Sequence, residues 1–327
     1  MEALFSKFKG IKVAVVGDVM LDTYWWGNVE RISPEAPVPV VSMNSKEYRI
    51  GGAGNVALNL AALGAQTSIF SVIGNDEDGN TLKQLLENNN INTKHIVSTE
   101  HRITTSKTRV ICRNQQLMRI DNEITTDLEP AQEQSLINAI EHYIINEQPQ
   151  ILIFEDYNKG ILTEGLITTV IDLCKQHQVI TAVDPKKKNF FNYKGVDIFK
   201  PNLKEVKEGL NISLENVTLK SMNQVHVLLQ EALQHHISFI TLSEKGVFYH
   251  SPTTSGIIPS HIRNIADVSG AGDTVIAVTS LIYATTKDIQ LASAIGNIAG
   301  GLVCEEVGTA AINKEKLLQE CKQLLGQ

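Results

Sequence analysis

Short runs of β-branched and aliphatic residues alternate along this chain with longer segments whose apolar residues recur at helical spacing. That alternation is the strongest constraint on what the chain can fold into. Lys12-Val13-Ala14-Val15-Val16-Gly17 is the clearest run. It is apolar at successive positions and ends in glycine, the pattern of a parallel strand buried on both faces. Similar runs occupy residues 67–73, 151–154, 179–184, 197–200 and 237–242. Between them, residues 53–63, 81–88, 130–145, 163–176 and 219–234 show helical spacing, as do 271–283, 289–303 and a stretch at the end of the chain. Strands alternating with helices predict an α/β fold, with an open, mostly parallel central sheet and helices on both faces. Ligands in such sheets bind beyond the carboxyl ends of the strands.

Two stretches, about 23–43 and 103–121, break this rhythm. They alternate apolar and polar residues without a helical period and predict antiparallel ribbons, with a turn at Arg113-Asn114. They read as a small β lid on the main sheet. No low-complexity linker or repeat divides the chain, so residues 1–327 are expected to form a single domain with this lid. A net charge of -7 and a pI near 5.7 exclude a nucleic-acid or anionic-membrane surface as the main partner. Cys112, Cys174, Cys304 and Cys321 are far apart and lack C-x-x-C spacing, which fits a reduced, cytoplasmic setting. Residues 1–10 lack an apolar signal core, and no apolar run is long enough to span a bilayer.

Chemistry concentrates at Asp267-Val268-Ser269-Gly270-Ala271-Gly272-Asp273-Thr274, directly before a helical apolar run. Small residues allow a tight turn that points successive N–H groups outward at a helix N-terminus, a site for an anion. Asp273 lies within the same turn. A carboxylate there has a use if it removes a proton from a hydroxyl attacking a bound phosphate. The plainer alternative is a glycine-capped turn with an acidic first-turn residue.

Gly51-Gly52-Ala53-Gly54-Asn55 precedes the helical segment 53–63. Adjacent glycines permit close approach to the backbone, and the Asn55 amide suits a sugar hydroxyl. Gly52, Gly54 and Ala57 also fit the dinucleotide fingerprint, with Asp76 downstream. That rival, a nicotinamide-dependent oxidoreductase, needs a buried strand before Gly52, whereas Asn44 to Arg49 are mostly polar. Asp18 and Asp22 follow the first strand, where carboxylates bind polyol hydroxyls or cap turns; the residue types leave both open. Asn202 and Glu205, three apart, suit either a hydrated magnesium ion or a capping box. Asp156 with Lys159, and Asp184 with Lys186, place an acid and a base at strand ends, where lysines suit an anionic substrate group.

Together these segments resemble the ribokinase-like carbohydrate kinases, the family that includes the B-type phosphofructokinases. The two glycine signatures occur in that family's order, and Asn202 to Glu205 resembles its N-x-x-E motif. Gly17 to Asp22, Arg31 to Val40, Arg113 to Leu117, Asp156 to Gly160 and Asp184 to Lys186 are similar to the D-glycero-β-D-manno-heptose 7-phosphate kinases. The resemblance implies ATP-dependent phosphorylation of the anomeric hydroxyl, giving a 1,7-bisphosphate on the route to ADP-heptose for lipopolysaccharide. It implies Asp273 as general base and Gly270, Ala271 and Gly272 as the anion hole. Asp22, Gly52, Asn55 and Asp18 are then sugar ligands. Asn202 and Glu205 organise magnesium and the ATP phosphates, and Ser243, Gly246 and Asn297 border the nucleotide. Asp267 resembles a residue that helps bind a monovalent cation such as potassium in several relatives. Charge and position assign Arg113, Lys159 and Lys186, beside Asp156, to the substrate's own phosphate. Lid ribbons in this family pair between subunits, which implies a homodimer. Gly54, Ser269 and Leu242 depart from the commoner Ala, Thr and basic residues of the heptose kinases. The chain is too short to include the nucleotidyltransferase domain that many relatives carry, so the resemblance is to the single-function kinase.

Overall fold

Strand β1 (Lys12–Gly17) shows how the apolar runs are used. Val13 and Val15 pack into one buried cluster, Ala14 and Val16 into another on the opposite face, as a period of two requires. The computed structural model describes residues 1–113, 115–261 and 263–326. The further strands are β2 (Val19–Ile32), β3 (Pro39–Gly52), β4 (Gln66–Gly74), β5 (Asn92–Thr99), β6 (Ser106–Cys112), β7 (Gln115–Asn122), β8 (Ile151–Glu155), β9 (Ile180–Asp184), β10 (Ile198–Phe199), β11 (Ile237–Thr241), β12 (Val247–His250) and β13 (Ser255–Ile258). The helices are α1 (Glu2–Lys7), α2 (Ala53–Leu63), α3 (Glu77–Asn88), α4 (Pro130–Glu147), α5 (Glu164–Gln176), α6 (Leu203–Leu210), α7 (Leu219–Leu233), α8 (Ala271–Thr286), α9 (Ile289–Val303) and α10 (Lys314–Leu325).

Among the described residues the main sheet runs β13-β12-β11-β10-β9-β8-β1-β4-β5. It is parallel from β11 to β5, and β12 and β13 add an antiparallel edge. Helices α2, α8 and α9 cover one face, while α4, α5 and α7 cover the other. The chain runs outward from β1 to β4 and β5, then returns to β8 on the other side of β1. The β1/β8 junction is therefore the topological switch point, where a crevice opens at the strands' carboxyl ends.

A second sheet, β3-β2-β6-β7, rises from that end. It contains the two expected antiparallel ribbons, joined through a parallel pairing of β2 with β6. The ribbons are longer than the sequence suggested. β2 begins at Val19, immediately after the end of β1, and β3 continues through the polar run 44–49 to Gly52. An exposed ribbon tolerates polar residues on both faces, so its hydropathy resembled a loop. The expected turn falls partly on Asn114, outside the described residues. Strands β5, β12 and β13 were not anticipated, because their alternation is broken by polar residues. No helix of the described residues is long and apolar enough to cross a membrane.

The dinucleotide rival fails on this topology. The strand leading into Gly52 pairs antiparallel with β2 in the lid, so it belongs to no βαβ unit of the main sheet. Asp76, which matched the ribose-binding acid, is the N-cap of α3 and accepts from the Gly79 N–H.

Candidate active site

Helix α8 begins at Gly270, whose φ of 76° no β-substituted residue adopts readily. A Cβ there would also lie 2.6 Å from Asn55 Nδ2. No side chain caps this helix start. The Ala271 N–H reaches the Val268 carbonyl at 3.3 Å, and the Thr274 N–H reaches Gly270 at 3.0 Å. Among the described residues, the N–H groups of Gly270, Gly272 and Asp273 are left without an acceptor, as donors for an anion site. Of the expected trio, Gly270 and Gly272 keep free N–H groups among the described residues, and Ala271 is engaged in the turn itself.

Asp273 is 3% exposed. Its Oδ2 accepts from Asn55 Nδ2 at 2.8 Å and its Oδ1 from the Tyr157 hydroxyl at 2.7 Å. Asn55 is delivered by the first turn of α2, which Gly52 starts with φ 60°. A Cβ on Gly52 would meet the Asp18 carbonyl at 2.3 Å, so glycine is required where the lid strand turns into the helix. Burial raises the Asp273 carboxyl above the ordinary carboxylate range, opposed by the bonds from Asn55 and Tyr157.

Beside the α8 N-terminus lies a chain of alternating charge. Lys200 Nζ contacts Asp184 Oδ2 at 2.6 Å, and Lys186 Nζ contacts Asp184 Oδ1 at 3.2 Å and Glu205 Oε1 at 2.8 Å. A Cβ on Gly272 would lie 3.7 Å from Lys200 Nζ and 3.6 Å from Asp184 Oδ2. The Lys200 ammonium thus stands at the anion site, with Lys186 on the other side of Asp184. Burial works against the charge on Lys186, but Asp184, Glu205 and Glu155 outweigh it and hold the amine above the usual lysine range. Burial likewise disfavours the ionised Asp184, yet Lys186 and Lys200 keep its carboxyl low. Glu155, register partner of Asp184 at the end of β8, is fully buried, and both of its carboxylate oxygens lack a partner among the described residues. Burial, followed by Asp184 and Asp273, pushes it well above the normal range.

On the lid side, Asp22 is nearly buried and paired with Arg109 of β6 at 2.6 Å. A Cβ on Gly51 would meet Asp22 Oδ2 at 2.6 Å, so this carboxylate lies against the glycine backbone that leads to Asn55. Lys107, also on β6, has no ion-pair partner among the described residues and sits 5.5 Å from the Tyr157 ring centroid.

A family model described as pfkB family carbohydrate kinase matches residues 11–316, nearly the whole of this architecture. The chain belongs to that family. It is 35% identical to the bifunctional protein HldE of Geobacter sulfurreducens over 97% of its own length. It is 38% identical to the bifunctional protein HldE of Helicobacter hepaticus over 95% of its length. In both cases it spans 64% of the relative. Among solved structures it resembles phosphofructokinase-2 from Escherichia coli in complex with potassium, with TM-score 0.80 and 16% identity over 97% of this chain and 100% of that one. It also resembles Arabidopsis thaliana ribokinase complexed with ribose and ATP, with TM-score 0.73 and 16% identity over 94% and 98% of the two chains. The fold is thus the ribokinase-like α/β fold.

Within this pfkB chain the expected site residues divide into groups. Asp273, Asn55, Gly270 and Gly272 converge, with Lys186 and Glu205 adjoining. Asn202 and Glu205 form a reciprocal capping box on α6, Glu205 Oε2 accepting from the Asn202 N–H at 2.8 Å and Asn202 Oδ1 from the Glu205 N–H at 2.9 Å. Glu205 uses its other oxygen for Lys186, so cap and cluster share one residue. Lys186 thereby links Asp184 to Glu205 beside the Tyr157 ring. Ser243 and Gly246 lie on the β11–β12 turn, and Asn297 reaches the same edge by donating to the Pro259 carbonyl at 2.8 Å. Asp267 Oδ1 accepts from the Ser269 N–H and hydroxyl, and its Oδ2 from the Gly308 N–H at 2.9 Å.

Other expected residues make contacts away from the α8 turn. Asp18 accepts from the N–H groups of Tyr157, Lys159 and Ile161, which shapes the loop after β8. Burial, with Asp156 nearby, raises its carboxyl to about 6. Asp156 is bound by Asn189, Tyr193 and the Asn158 N–H, beneath the cleft. Lys159 pairs with Glu123 at 2.7 Å, and Arg113 stands exposed at the far end of the lid. Sequence reasoning passed over Tyr157, Lys200, Glu155, Lys107 and Arg109. Lys200 had one available signal, a lone lysine closing an apolar strand directly before Pro201-Asn202. The lid residues had none, since a basic residue in an exposed ribbon looks ordinary.

The donor set also bears on metals. Among the described residues no group of three or more His, Cys, Asp or Glu could hold a metal ion. Asp184 and Glu205 are already engaged by lysines, so these carboxylates would suit a magnesium ion that keeps most of its waters and not a protein cage.

Proposed function

We propose that this pfkB chain transfers the γ-phosphoryl group of ATP to the anomeric hydroxyl of D-glycero-β-D-manno-heptose 7-phosphate, giving the 1,7-bisphosphate precursor of ADP-heptose. The observation that carries the reading is the buried Asp273 carboxylate, placed beside uncapped N–H groups of α8, Lys200 and the Asn55 amide of α2. The HldE relatives support the heptose assignment, and the E. coli and Arabidopsis structures support the fold.

In this reading the acceptor hydroxyl lies against Asp273, which takes its proton as the oxygen attacks the γ-phosphorus. Asn55, Asp22 and the Gly51-Gly52 backbone orient the sugar. The N–H groups of Gly270, Gly272 and Asp273, with Lys200, face the charge on the transferring group. Such preorganised donors are the main source of acceleration in phosphoryl transfer. Magnesium supplies further charge neutralisation when bound, with Asp184 and Glu205 holding its waters. The adenosine lies along the edge formed by Ser243, Gly246 and Asn297. Asp267 keeps acceptor capacity on Oδ2 that suits a monovalent cation. The substrate's 7-phosphate falls to Lys107 and Lys159 where the lid meets the β8 loop. Arg113 is too far along the lid, and Lys186 is committed to Asp184 and Glu205. The lid's outer surface, with Ile32, Met43, Met118 and Ile120 exposed, suits pairing with a second copy of the chain.

The test is ADP release from ATP–magnesium over a panel of sugars and sugar phosphates, with the product identified by phosphorus NMR. Heptose 7-phosphate should be the best acceptor and gain an anomeric phosphate. A different sugar phosphate turning over best would reassign the substrate. Absence of ADP release together with tight NAD binding would end the kinase reading.

A further inference from the structure

Among the described residues Tyr157 is the one aromatic residue in direct hydrogen-bond contact with Asp273, and the sequence motifs gave it no task. Its backbone is fixed from below, where its N–H donates to the buried Asp18 carboxylate at 2.8 Å and the Lys159 and Ile161 N–H groups donate to the same carboxylate. Its ring is held from two sides of the cleft. Lys107 of the lid and Lys186 of the main sheet each place an ammonium group 5.5 Å from the ring centroid, within the range of cation–π attraction. Its hydroxyl then meets Asp273 Oδ1 at 2.7 Å, while Asn55 meets Oδ2 at 2.8 Å.

Resting on the kinase reading of Asp273, we propose that Tyr157 is a positioning residue that fixes the plane of the catalytic carboxylate and leaves it aimed at the acceptor hydroxyl. A carboxylate held by one donor swings about its Cβ–Cγ bond. Two donors from different elements, one on each oxygen, stop that rotation. Each oxygen still keeps a lone pair for the incoming hydroxyl.

The same bond sets when Asp273 is ionised. The groups facing it are Asn55 from α2, Glu155 and Tyr157 from β8 and its loop, Asp184 from β9 and Lys200 from the end of β10. Burial and the neighbouring acids favour the neutral carboxyl. Asn55, Tyr157 and Lys200 favour the ionised form. The Tyr157 hydroxyl is itself held well above the ordinary phenol range by burial and by Asp273 and Glu155, so it remains a donor throughout the neutral range. Removing it takes away one of two donors to the charged form, and the base then ionises at higher pH.

Tyr157→Phe keeps the ring and both ammonium contacts and deletes only the hydroxyl. The test follows kcat from pH 5 to 9 with ATP–magnesium and heptose 7-phosphate, beside ATP affinity and melting temperature. The acid limb of the profile should move up by about one to two pH units, the size expected for a charge-assisted hydrogen bond. Above the limb, kcat should level off below wild type, because Asn55 alone then holds the carboxylate, with ATP affinity unchanged. A limb that stays in place overturns the proposal, whether kcat is normal or reduced equally at every pH. Asp273→Asn in the same series separates the two readings. If it keeps wild-type turnover and limb, the base assignment itself fails. If it loses both while the Tyr157→Phe limb stays put, only the role of Tyr157 fails.

Discussion

Glu155 shows how strongly single residues of this cleft are shaped by their neighbours. A carboxylate buried without a hydrogen-bond partner beside Asp184 and Asp273 is unfavourable when ionised, so the neutral acid is the form the fold accepts. In the unfolded chain the same group titrates near an ordinary glutamate. The folded state therefore binds the extra proton. Its stabilising contribution is complete below the unfolded value and is lost as pH rises through the folded one. Glu155→Gln replaces the neutral acid with a neutral amide of the same shape. The variant's melting temperature should fall less than wild type's as pH is raised from about 5 to 8, the window above an ordinary carboxylate. Superimposable pH profiles would show that Glu155 is solvated or paired in solution. None of this was legible in the sequence, where Glu155 is one acid at a strand end. Its isolation arises from the register that sets it beside Asp184, which no local pattern encodes. Asp273 and Asn55 were legible because glycines at φ 76° and φ 60° mark the turns that carry them.

At the scale of elements, the site is made by two helix starts facing each other, α2 and α8, each entered through a glycine in the left-handed region. Neither turn tolerates a Cβ, but for different reasons: Gly52 would strike the Asp18 backbone, whereas Gly270 would strike the Asn55 side chain. Gly270→Ala combines left-handed strain of about 1–2 kcal/mol with displacement of the amide that holds Asp273. The variant should lose that much stability in denaturant unfolding and lose turnover as well. Normal kcat in Gly270→Ala would mean that Asn55 does not need its present position. Helices and parallel strands were readable because their periods survive burial. The long lid strands were underestimated because an exposed ribbon needs no apolar face, and β12–β13 because polar and small residues interrupt a short edge hairpin.

The whole molecule places a main sheet that gathers acidic and basic strand ends against a lid that carries its own apolar surface. Ile32, Val38, Met43, Leu117, Met118 and Ile120 are all more than 40% exposed, a concentration that an unpartnered sheet seldom keeps. Sedimentation should give a dimer, and Met118→Glu on edge strand β7 should shift it toward monomer with little change in melting temperature. A monomeric wild-type chain would leave the apolar lid unexplained. Helices α2 and α8 and the loop after β8 meet at Asp273, and the central claim is that proton transfer occurs there. Asp273→Asn keeps size and hydrogen-bonding capacity and removes basicity. Measured on one preparation with heptose 7-phosphate, kcat should fall about 10²- to 10⁴-fold, while ATP affinity and melting temperature stay close to wild type. Turnover within a few-fold of wild type would contradict the account, leaving Asp273 a first-turn residue and the proton without its acceptor.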